Sequence, residues 1–147
     1  MRIKGYVGKL PRPRTWDEAV SILQANAGAF FSNVPQADWL TFARAMFSEQ
    51  DGQLTLRYDP ALMHTLDAFT EETPLPEMWP QFEALAKCPV LGIRGENSDL
   101  LSPETFAEMA RRHPAFQSYT VKGQGHAPLL LDAPTISVIA EFVARFG

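Results

Sequence analysis

The stretch Gly123-Gln124-Gly125-His126-Ala127-Pro128-Leu129-Leu130 sets one histidine on a glycine-bracketed turn. It follows a strand-like run, Phe116 to Val121, and precedes a helix. Gly123 and Gly125 can adopt positive φ without steric cost, so the imidazole is expected to project from a strand's end. An imidazole so placed can take up and return a proton near neutral pH. A turn histidine held only by local hydrogen bonds is the plainer alternative.

A carboxylate stands in a comparable position. Pro89-Val90-Leu91-Gly92-Ile93 reads as a short buried strand, and Arg94-Gly95-Glu96-Asn97-Ser98-Asp99-Leu100-Leu101-Ser102-Pro103 follows it. Asp99 therefore falls in a loop beyond the strand's carboxyl end. Ser102 and Pro103 carry the types favoured at the N-cap and first position of a helix.

The order is a strand ending in an acid, a helix, a strand ending in histidine, and a helix. In this it resembles the C-terminal part of an α/β-hydrolase. In that superfamily the catalytic triad runs nucleophile, acid, histidine along the chain. The G-E-N-S-D-L-L-S-P and G-Q-G-H-A-P-L-L segments match the acid and histidine loops. The resemblance implies that Asp99 is the acid and His126 the base. It covers nearly the whole chain, is most specific in these two loops, and is weakest over the helices that precede them.

The superfamily's nucleophile lies in G-x-S-x-G, on a sharp turn between strand and helix. None of the seven serines is flanked by glycines at that spacing, and no G-x-D-x-G or G-x-C-x-G replaces it. The oxyanion hole would also come from upstream. Ser98, beside Asp99, lacks such an elbow, and adjacent loop residues rarely aim at one reacting centre. The chain is expected to be unable to complete the reaction alone.

With 147 residues the chain can bury a substantial core, and 46% apolar with 20% charged residues is a globular composition. Thirteen basic against 17 acidic residues give −4 without long like-charged blocks, which argues against nucleic-acid and anionic-membrane surfaces. No run approaches the roughly 18 apolar residues of a membrane span. Met1-Arg2-Ile3-Lys4-Gly5-Tyr6 lacks a signal peptide's apolar region, so cytoplasmic residence is expected. Cys88 is the only cysteine and reads as a small buried hydrophobe. His64, His113 and His126 show no metal-ligand spacing; no metal or cofactor is expected.

The preceding residues must carry the lid. Residues 1–13 read as a connector stopped by Pro11 and Pro13. The resemblance places R-I-x-x-Y-V-G-K between core and cap, which leaves Met1 as an arbitrary boundary, a mis-assigned start or a genuine truncation. Thr15-Trp16-Asp17-Glu18 is a capping box. An apolar face from Trp16 through Leu23 to Phe30 and Phe31 then predicts a helix of about four turns. Pro35 opens a second helix, lined by Trp39, Phe42, Ala43, Met46 and Phe47, which breaks at Asp51-Gly52. Leu54, Leu56 and Tyr58 alternate like a short strand. Asp59-Pro60 starts a helix through Leu62, Leu66 and Phe69, and residues 71–76 form a linker. Pro80 starts a short helix, Gln81 to Lys87, and His64 reads as a surface residue.

From Cys88 the pattern becomes strand–helix–strand–helix. A helix from Pro103 to Arg112, with Arg111, Arg112 and His113 complementing its dipole, joins two parallel strands. A last helix starts near Asp132. The expected class is α/β: a partial α/β-hydrolase fold with connector 1–13, helical cap 14–75 and core remnant 76–147.

The resemblance implies a Ser-Asp-His hydrolysis of carboxylic esters or related acyl compounds, with Trp39, Phe42, Phe30 and Phe31 roofing an apolar acyl pocket. Such a stripe more often is cap core. A small-molecule acyl substrate is the expected partner of the complete enzyme. The first core strand lacks a neighbour, so the isolated chain is expected to be marginally stable or to self-associate through that edge. The other function class is a non-catalytic ligand-binding or interaction module derived from the same fold.

Overall fold

The computed structural model describes residues 10–67 and 76–147. These fall into two compact units: residues 10–28, 35–67 and 76 in one, residues 29–34 and 77–147 in the other.

In the first unit the capping box forms as its sequence dictates. Thr15 Oγ1 accepts from the Glu18 backbone N–H at 3.1 Å, opening α1 (Trp16–Ala27). Ala19, Val20 and Leu23 form its buried face. α2 (Gln36–Met46) buries Trp39 and Ala43. β1 (Phe47–Gln50) and β2 (Gln53–Leu56) pair antiparallel, with Phe47 opposite Leu56. Phe47 and Leu54 are buried and join the same core. Each such side chain contributes about 1.5–3 kcal/mol on leaving water.

Three sequence expectations change here. α1 ends at Ala27 instead of reaching Phe31. Beyond it, the Phe30 carbonyl accepts from the Asn97 side chain and the Ser32 N–H donates to the Gly123 carbonyl, which holds residues 29–34 in the other unit. Phe47 starts a strand rather than closing the apolar side of α2. Asp51 and Gly52 both have positive φ, at 52° and 74°, so the turn closes a hairpin whose first strand the helical spacing had masked. After Asp59, which caps through the Ala61 N–H, residues Pro60–Leu66 form a 3-10 helix, not an α-helix. Phe69, the linker up to residue 75 and the connector up to residue 9 lie outside the described residues.

In the second unit the helix expected over Gln81–Lys87 is α3 (Trp79–Glu83) continuing into a 3-10 turn, Ala84–Lys87. Then β3 (Val90–Gly95), α4 (Pro103–Arg112), β4 (Phe116–Val121) and α5 (Ala133–Phe146) follow in the expected order. Ser102 caps α4 through the Thr105 N–H, and Asp132 caps α5 through the Thr135 N–H. β3 and β4 pair in parallel from Val90 opposite Phe116 to Gly95 opposite Val121. β3 reads almost wholly apolar, as an interior parallel strand does, while β4 exposes Gln117, Ser118 and Thr120 like an edge.

Two residues differ from their sequence reading. His113, expected in the last turn of α4, follows that helix as a core ring, 3% exposed and packed 5.5 Å from Phe82. Its Nδ1 accepts from the Ala115 N–H at 3.2 Å, so Nε2 carries the hydrogen donated to the Leu85 carbonyl at 3.0 Å. Cys88 is exposed rather than buried. It stands at the seam between the 3-10 turn and β3. No helix among them is long and apolar enough to cross a membrane.

Candidate active site

Because β3 and β4 run in parallel and in register, they end together at Gly95 and Val121. The loops carrying Asp99 and His126 therefore leave the same carboxyl edge, where open α/β sheets place ligands. Backbone bonds continue past the strands: Glu96 N–H to the Val121 carbonyl at 2.8 Å and Asn97 N–H to the Gln124 carbonyl at 2.9 Å. The two loops form one hydrogen-bonded edge.

Glycines permit this closeness in different ways. Gly123 has φ +65°, the conformation foreseen from its type. Gly125 does not need that freedom; a Cβ there would stand 2.8 Å from Phe30 Cβ and 2.9 Å from Phe31 Cε2. Phe30 and Phe31 thus lie against the histidine loop. Trp39 instead is buried in the first unit's core, 6.2 Å from the half-buried Phe42 ring.

His126 is exposed, and its Nδ1 lies 3.4 Å from Ser98 Oγ. Ser98 Oγ also accepts from the Leu101 N–H at 3.0 Å. Asp99, the next residue, is half-buried in the same loop. The imidazole's Nδ1 side thus faces the acid loop, as a proton carrier oriented from behind requires.

Several supports were not singled out in the sequence. Glu96 spans the loops, receiving Lys122 Nζ at 2.8 Å and the Gly123 N–H at 2.9 Å. The Lys122 ammonium first, then the Gly123 N–H, hold its carboxyl below the usual range. Gln124, 5% exposed, accepts from the Leu129 N–H at 2.8 Å and so braces the turn beyond His126. Arg94, 6% exposed, lies beneath the acid loop. A polar or charged side chain inside a strand-to-loop run was the available signal, but the partners of Glu96 lie 26 and 27 residues away, and residue type alone does not name those of Arg94 and Gln124.

Among the described residues no group of three or more histidine, cysteine, aspartate or glutamate side chains could hold a metal. No family model matches the chain. Among solved structures, an α/β-hydrolase from Novosphingobium aromaticivorans is 36% identical, with a TM-score of 0.84 over 98% of this chain and 50% of its own. The chain is similar to the C-terminal part of an α/β-hydrolase. It carries a partial α/β-hydrolase fold and spans about half the length of the relatives it matches. The 3-hydroxybutyrate-oligomer hydrolase of Cupriavidus necator is 33% identical over 96% of this chain and 50% of its own length. A solved structure from Rickettsia typhi shares the fold, at 22% identity and a TM-score of 0.77 over 99% of this chain and 48% of its own.

Proposed function

We propose that this α/β-hydrolase chain supplies the acid and base of a serine acyl hydrolase. His126 removes a proton from a serine hydroxyl as that oxygen attacks the ester carbonyl, then gives it to the departing alcohol. Asp99 holds the imidazole in the Nδ1–H tautomer and stabilises the imidazolium without taking its proton. Water then releases the acid by the same relay in reverse. The serine and the oxyanion hole come from a G-x-S-x-G half outside this sequence, and the chain alone does not turn over.

The observation that supports this best is the Nδ1 side of His126 lying 3.4 Å from the acid loop's Ser98, at the shared carboxyl edge of two parallel strands. Carboxylic esters are the proposed substrates, and short oligomeric 3-hydroxybutyrate esters are the first to try, since a 33% identical relative is a hydrolase of that class. Residues 14–75 act as the helical cap. Phe30 and Phe31, beside the histidine loop, serve an apolar acyl pocket. The setting is cytoplasmic.

Without its other half the chain self-associates through the outer side of β3, aided by Ile136, Val143 and Phe146, each about half exposed on α5. Joining the chain to an upstream half carrying G-x-S-x-G and assaying these esters tests the catalytic reading. Turnover should appear in the joined protein and vanish in H126A and D99N. Undiminished turnover in H126A would sink it.

A further inference from the structure

We propose that Arg94 is a positioning residue for His126. It stands next to last in β3, with its side chain almost wholly buried. Its guanidinium donates from Nε to the Leu101 carbonyl at 2.6 Å, from one terminal nitrogen to Glu96 at 3.2 Å, and from the other to Ser98 at 3.3 Å. Those three carbonyls frame the whole acid loop, 96–101. A buried cation must be satisfied by such bonds, and only a planar fork meets three carbonyls around one centre.

The loop so held presents Ser98. Its hydroxyl oxygen accepts from the Leu101 N–H and lies against His126 Nδ1. Leu101 thus receives Arg94 at its carbonyl and binds Ser98 at its amide. Strain at one end of this link reaches the other within one turn of chain. Arg94 acts by fixing the loop that faces the imidazole.

The role of Arg94 in catalysis rests on reading His126 as the proton carrier, but its test does not. In the full chain, the ring nitrogens of the three histidines are followed by nitrogen-15 NMR in R94K, R94M and S98A. The expected result keeps the β3–β4 amide pattern and the His113 ring signals. The His126 ring signals move toward those of a free histidine, further in R94M than in R94K, and S98A moves the same signals. A folded R94K or R94M with unchanged His126 signals overturns the proposal. So does S98A with no effect on His126. If R94M fails to fold, R94K decides, since it retains the charge. Loss of the fold in both variants also overturns it, because Arg94 would then serve the core as a whole. Failure of the hydrolase reading shows separately, as absent ester turnover in the joined protein with Arg94 intact.

Discussion

Gly95 and Gly125 meet so closely that a Cβ on Gly95 would run into the Gly125 carbonyl oxygen. One closes the acid strand and the other directly precedes the proposed base. The atoms in the way are backbone, which cannot swing aside as a side chain would. G95A is therefore expected to cost about 1–3 kcal/mol, the usual penalty of overpacking. G52A provides the contrast. Nothing lies within 4 Å of its added Cβ, and only its φ of +74° opposes the change. It should cost about 1 kcal/mol. Urea midpoints of the two variants check the order, and a G95A as stable as wild type would refute the tight seam.

The histidines should separate function from folding. His126 is exposed, so H126A should change stability by less than about 0.5 kcal/mol while removing ester turnover in the joined protein. His113 is buried between the Leu85 carbonyl and the Ala115 N–H. H113A strands both partners and should cost about 1–3 kcal/mol or more. Paired denaturation curves and ester assays report the two effects independently.

Acid should weaken the chain in a defined window. Arg111 first, then Arg112, lower the Glu108 carboxyl from 4.5 to about 2. Its folded value lies below its unfolded one, so its stabilisation is complete above 4.5 and is lost as pH falls toward about 2. Glu96, also lowered, acts in the same direction. E108Q should lower the thermal midpoint at pH 7 and match wild type near pH 2. Because the pair is solvent-accessible, added salt should shrink the difference.

Trp39 tests which purpose its ring serves. It is 4% exposed in the first unit, so W39A should cost about 3–5 kcal/mol. F42A, half-buried, should cost less. Urea midpoints of W39A and F42A check the order, and a W39A as stable as wild type would remove Trp39 from that unit's core.

Local signals were legible wherever a residue acts on its own neighbours. Thr15, Asp59, Ser102 and Asp132 all cap as their types indicate, because the N–H groups they serve lie two or three residues ahead. The strand–helix–strand–helix order was readable for the same reason. β1 was not, since Phe47 fits a helical stripe as well as a strand, and only pairing with β2 decides. Phe30 and Phe31 also kept helical spacing, yet bonds to Asn97 and Gly123 draw that segment to the histidine loop.

By itself the sequence determined the strand–helix–strand–helix order after Cys88, the caps and the resemblance to α/β-hydrolases, because propensity, capping and loop motifs act over a few residues. The tertiary structure alone decided what meets at the strand ends. It set Ser98 against His126, Glu96 against Lys122 and Arg94 beneath the acid loop. It also turned His113 inward and left Cys88 outside. Burial and pairing across some thirty residues depend on where the parallel strands place their ends, which spacing along the chain does not encode.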